Sequence, residues 1–77
     1  MNKKRREQIR YASSLLEKAG GIVEACGDEE SDSLSNLEGT SLEYTDRYSQ
    51  MEEAVDNLQD AYNKIGEANE LLMNLIY

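Results

Sequence analysis

The sequence predicts an all-α protein: an antiparallel helical hairpin with heptad seams, dimerising into a four-helix bundle. Three observations predict it. The 77 residues contain no proline. Two long segments carry apolar residues at heptad spacing. The second segment runs into the oiliest stretch of the chain, "ELLMNLIY", whose apolar cover is wider than one neighbouring helix can bury.

The first helix is expected over about 3–26. Ile9, Ala12, Leu16, Ala19, Val23 and Cys26 step 3-4-3-4-3, the a/d seam of a packed helix. Gly20 and Gly21 each lower helix propensity by roughly 1 kcal/mol relative to alanine. On this phase both lie beside the seam, which favours a bend or a close backbone approach over a helix end. Cys26, on the seam with no base beside it, reads as a buried thiol.

Residues 27–44 read as an acidic connection. "GDEESDSLSNLEGTSLEYT" holds six acids and no base among Gly, Ser, Asn and Thr. It is long for a helix–helix link, so Leu34, Leu37, Leu42 and Tyr44 are expected to fold back as a short turn or helix. The second helix is expected over about 45–77. Two start signals overlap: Thr45 as N-cap with Asp46 in the first turn, or Ser49 to Glu52 as a capping box; the earlier start is preferred. Its seam is Tyr48, Met51, Val55, Leu58, Tyr62, Ile65, Asn69, Leu72 and Ile76. The whole, residues 1–77, is one domain, small enough that oligomerising would supply missing stability.

Two antiparallel registers are open. One sets Ile9 opposite Leu72, Leu16 opposite Ile65, Ala19 opposite Tyr62 and Val23 opposite Leu58. The other, shifted by a heptad, sets Ile9 opposite Ile65 and leaves Leu72 and Ile76 uncovered. The first is preferred, because it pairs small with large at Ala19. Neither covers everything. Ala54, Ala61, Ala68 and Leu75 lie one position before the a residues of helix 2, and Leu15 and Ile22 hold matching positions in helix 1. Leu71, Met73 and Leu75 carry apolar cover almost around the C-terminal turns. With Asn69, Leu72 and Ile76 they form the expected oligomer interface of a homodimer. A heterologous partner docking at the same apolar tip is the rival reading. Asn69 itself reads either as a register-setting polar residue at an a position or as a solvated residue near a bundle end.

Charge narrows the function. Residues 1–10 carry five bases and one acid; residues 11–77 carry three bases and fifteen acids, within a net charge of −8. The acidic body disfavours direct nucleic-acid binding and suits basic protein surfaces. Lys3 to Arg6 could touch an anion, but an antiparallel hairpin brings them near Glu67 and Glu70, and a helix N-terminus disfavours their charge. No histidine is present, which removes the usual general base and the commonest metal ligand. One cysteine excludes an internal disulfide framework. No signal-peptide pattern follows the basic start, and "LLMNLIY" is too short to span a bilayer. The expectation is a cytoplasmic protein with no enzyme activity, no metal, no cofactor and no membrane partner.

The candidate partner-binding surface is acidic. Glu52, Glu53, Asp56 and Asp60 form a strip on helix 2, with Glu52, Asp56 and Asp60 roughly 6 Å apart along the axis, close to the spacing of phosphates on one strand. Asp28, Glu29, Glu30 and Asp32 extend the negative surface. Such a strip suits a nucleic-acid mimic; it also suits a plain solvated face. The acids lack the glycine and bidentate glutamate of a calcium loop.

The stretch "NLEGTSLEYTDRYSQMEEAVDNL", Asn36 to Leu58, resembles a segment of small acidic helical proteins from phages and mobile elements of Gram-positive bacteria. Asn36, Leu37, Leu42, Thr45, Asp46, Arg47, Met51, Glu52 and Leu58 match that pattern or substitute conservatively. The chain departs from it by lacking a proline and carrying one extra residue before Leu42. The resemblance implies a mobile-element origin and a helical hairpin, and no chemistry. The expected function is a non-enzymatic interaction module that binds a basic host or phage protein, in its sharpest form an anti-CRISPR-like inhibitor of a nucleic-acid-binding defence protein. The alternative is an assembly accessory acting by self-association through its apolar C-terminus.

Overall fold

Residues 1–43 and 45–76 are described by the structure, a computed structural model. Two helices, α1 (Lys3–Leu37) and α2 (Asp46–Ile76), pack along their length as an antiparallel hairpin 59 × 15 × 14 Å in extent.

Helix α1 begins where Asn2 Oδ1 accepts from the Arg5 amide at 2.8 Å, a side-chain N-cap. It does not end near residue 26. It runs through the acidic stretch to Leu37, so α1 is 35 residues long beside the 31 of α2. Glutamate is a good helix former, no proline intervenes, and Leu34 and Leu37 lie half-buried on the same seam, giving the acidic turns something to pack with. Asp28, Glu29, Glu30 and Asp32 therefore stand on a helix rather than in a loop.

The connection is only Glu38 to Thr45. Gly39 adopts φ +77°, the left-handed conformation that ends helices at little cost for glycine. Its amide donates to Glu43 Oε2 at 2.9 Å, and the Thr40 hydroxyl donates to the Leu37 carbonyl at 2.6 Å. Thr45 then caps α2, its Oγ1 accepting from the Tyr48 amide at 3.3 Å. The start at Thr45 is thus the one used; Ser49 lies inside the helix. The part played by Tyr44 in covering the connection lies outside the described residues.

The α1 seam differs from the expected one. The residues facing α2 are Ile9, Ser13, Leu16, Gly20, Val23, Gly27, Glu30, Leu34 and Leu37, of which Ser13 and Gly20 are buried. Cys26, expected to be buried, is exposed. The reason is size. A Cβ built on Gly20 would lie 3.6 Å from Ile65 Cγ2 and 3.9 Å from Tyr62 Cε2, and one on Gly27 3.8 Å from Leu58 Cβ. Large α2 side chains settle over a row of small ones, which lets the helices approach closely. Hydropathy ranks Ala and Cys above Ser and Gly, so it points to the neighbouring row.

These pairings decide the register. Gly20 against Tyr62 and Ile65, and Gly27 against Leu58, lie within one helical turn of the first register. The heptad-shifted alternative is not formed, and Leu72 and Ile76 are half-buried on the α2 seam. Ser13 Oγ donates to Asn69 Oδ1 across the seam. Asn69 is thus paired within one hairpin, with Ser13, where the register-setting reading pairs it with its counterpart across a dimer axis.

Candidate functional site

With the seam assigned, each helix has two flanks. Counting heptads with Ser13, Gly20 and Gly27 at a in α1, and Val55, Tyr62 and Asn69 at a in α2, the g and c positions turn to one side and the e and b positions to the other. In an antiparallel pair the g/c flanks of both helices lie on the same side. The grooves obey this division. One joins Glu30 and Met51 of the seam to Ser33, Arg47 and Gln50 of the g/c side. Another joins the seam to Arg10, Ser14, Glu17 and Met73 of the e/b side.

The g/c flank is mainly apolar in the middle of the hairpin, between Ala12 and Cys26 on α1 and between Ala54 and Leu75 on α2. Helix α1 contributes Ala12, Leu15, Ala19, Ile22 and Cys26; α2 contributes Ala54, Ala61, Ala68, Leu71 and Leu75. The large members are the most open: Leu15 is 47% exposed, Ile22 65%, Leu71 67% and Leu75 56%. Among the described residues no hydrophobic side chain is fully buried. The C-terminal cluster accordingly divides three ways. Leu72 and Ile76 serve the seam with Asn69, Leu71 and Leu75 serve the g/c flank, and Met73 faces the opposite side.

The e/b flank is acidic. It carries Glu17, Glu24 and Asp28 from α1 and Glu52, Asp56 and Glu70 from α2, all exposed. Glu53 and Asp60 turn further out, and Asp60 is held by Lys64 at 2.7 Å, an i,i+4 pair between exposed groups. Glu29 falls on the apolar side, Glu30 on the seam, and Asp32 on the outer surface of α1. The expected strip of eight acids is therefore not one surface. Glu52, Asp56 and Asp28 share a face with Glu17, Glu24 and Glu70, three acids the sequence reading did not single out. Their e and b positions would have shown it once the seam was placed correctly.

Midway along this flank Gly20, Gly21 and Gly66 leave a groove of about 650 Å³. Its floor is Leu16, Ile65 and Tyr62 and its rim includes Glu17, Glu24 and Glu67. A hydrogen bond to Glu24, with that carboxylate's charge, raises the pKa of the Tyr62 phenol above 10.0. At the connection, Tyr48 is raised too, first by partial burial and then by Glu38, Glu52 and Glu43.

Among the described residues no three His, Cys, Asp or Glu side chains gather as a metal-ion group. No described helix is long and apolar enough to cross a membrane. Compared with protein families, curated proteins and solved structures, the chain has no match.

Proposed function

We propose that the chain is a non-enzymatic interaction module of phage or mobile-element origin, acting in the cytoplasm of a bacterial host. Its acidic flank engages a basic, nucleic-acid-binding protein by standing in for nucleic acid. The observation that carries this reading is the gathering of Glu17, Glu24, Asp28, Glu52, Asp56 and Glu70 on one side of both helices. The glycine groove supports it: an apolar floor with carboxylates on its rim suits an arginine or lysine, whose stem is oily and whose head is charged. The mobile-element origin rests on the resemblance of Asn36 to Leu58, and inhibition of a defence protein of the anti-CRISPR kind is the sharpest form of the proposal.

The test is capture on immobilised chain from a host lysate, followed by elution with a duplex oligonucleotide. A mimic releases its partner to nucleic acid and to moderate salt. The variant Glu17→Gln/Glu52→Gln/Asp56→Asn should capture at least tenfold less while keeping its helicity. Undiminished capture by that variant, or capture indifferent to competing nucleic acid, would sink mimicry. A second reading, an assembly accessory acting through self-association, is favoured by the exposed Leu71 and Leu75.

A further inference from the structure

We infer that a second copy of this chain covers the g/c flank, stacked face to face with its connection at the opposite end. The two-fold axis crosses the hairpin at the level of Ala19. This inference rests on the self-association reading above and assigns its interface to the length of one flank rather than to the C-terminal tip.

The need for an occupant comes from burial. No described hydrophobic side chain is fully buried in the single hairpin, while the g/c flank holds ten apolar residues. A helix of a four-helix bundle uses a, d and one of the flanking positions, and both helices here use g. The face has the right size. A surface 59 Å by 15 Å presents on the order of 900 Å², near the ~800 Å² that each partner gives to a standard interface.

Charge makes the occupant a second copy. The protein carries a net −8, yet between Ala12 and Cys26 on α1 the g/c positions carry no charge. Between Ala54 and Leu75 on α2 they carry only Lys64, whose ammonium is drawn to Asp60 on the outer side. Two copies can meet on this flank with their acidic flanks turned outward, on opposite surfaces of the bundle.

Charge also orients the pair. At one end of the hairpin, residues 1–10 and 67–76 hold five bases and three acids, a net of +2. At the other, residues 28–47 hold seven acids and one base, a net of −6. Connections at the same end would set −6 against −6. Connections at opposite ends set each acidic end against a basic one, and on the flank itself Arg5 lies about one helical turn from the level of Glu29 of the other copy.

The axis follows from the apolar g positions. Ala12, Ala19 and Cys26 are centred on Ala19. Ala54, Ala61, Ala68 and Leu75 are centred between Lys64 and Ile65. Those two centres are level with each other in the folded hairpin, because Gly20 meets Tyr62 and Ile65. One two-fold axis therefore satisfies both helices.

Engineered cysteines in the full chain test this, read together with sedimentation at micromolar concentration. The native chain should sediment as a dimer. Ala19→Cys in a Cys26→Ser background places two thiols at the axis, within disulfide reach, and mild oxidation should convert most chains to a linked dimer. Native Cys26 alone should not link, because the two copies of it lie about 21 Å apart along the bundle. Adding Ala12→Cys to native Cys26 should link again, since the two positions are level across the axis; this second variant covers any failure of the first to fold. A monomeric native chain would overturn self-association itself. A dimer in which neither cysteine variant links, or in which Cys26 alone links, would keep self-association and overturn this interface.

Discussion

Along one flank of the hairpin stand Ala12, Leu15, Ala19, Ile22, Ala61, Ala68 and Leu71; along the other stand Glu17, Glu24, Asp28, Glu52, Asp56 and Glu70. Both flanks are equally distant from the seam and occur on the same two helices; the six acids are all exposed, as are Leu15, Ile22, Ala68 and Leu71, while Ala12, Ala19 and Ala61 are half-buried. One displays methyl groups to solvent and the other carboxylates. Exposure of apolar surface costs about 25 cal/mol per Å², so the first flank is stable only when covered, whereas the second is stable in water as it stands. A hairpin divided this way carries the two proposed surfaces, an apolar side for self-association and an acidic side for a basic partner.

The comparison predicts its largest effect at the C-terminus, where neighbouring residues belong to different surfaces. Leu72→Asp/Ile76→Asp strikes the seam and should abolish the helical circular dichroism signal, since each change forfeits about 1.5–3 kcal/mol of burial in a small domain. Leu71→Asp/Leu75→Asp strikes the apolar flank. It should weaken association at least tenfold in sedimentation, with helicity regained at high protein concentration. Equal damage from both pairs would erase the distinction between seam and flank.

A smaller effect sharpens the border between them. Gly20 sits on the seam with ordinary van der Waals room for a methyl group. Gly20→Ala should stabilise by up to about 1 kcal/mol through helix propensity, whereas Gly20→Leu should destabilise by about 1–3 kcal/mol through overpacking. Thermal melts of the two variants should move in opposite directions. Ser13→Ala, which removes the donor to Asn69, should cost about 1 kcal/mol.

The smallest effect belongs to the acidic flank and the ion pair on the outer face of α2. Glu24 raises the Tyr62 phenol above its ordinary 10.0, and Asp60 raises Lys64 above 10.5. Both groups hold their protons more tightly when folded, so their contribution is complete below pH 10 and is lost as pH rises through the raised values. Stability should be level through neutral pH and fall above about pH 10. Tyr62→Phe should reduce that alkaline slope in melts taken from pH 8 to 11.

How far the fold was legible varies by residue. The α2 seam could be read in full, from Tyr48 to Ile76, because every large apolar residue on it recurs at strict 3-4 spacing. Thr45 was legible as a cap because its hydroxyl precedes a helical pattern. The end of α1 was not, because the run from Asp28 to Asp32 has the composition of a loop. Only the length of α2 beside it gives those turns a surface to pack on. The acidic face was half legible: Glu52, Asp56 and Asp28 were identified, but Asp60 was grouped with them on i,i+4 spacing and Glu29 and Glu30 on charge, and these three point elsewhere.

By itself the sequence determined the helical class, the antiparallel hairpin, the second seam and the excess of apolar surface, since each follows from spacing or amount and needs no partner to define it. The tertiary structure decided which of two adjacent rows of α1 faces α2. Ala12, Ala19 and Cys26 are the more apolar row; Ser13, Gly20 and Gly27 are the smaller one. Tyr62, Ile65 and Leu58 lie over the smaller row, where even an added methyl group would meet them only at ordinary van der Waals distance. That choice moved Cys26 to the surface and placed the apolar and acidic flanks on opposite sides of the hairpin.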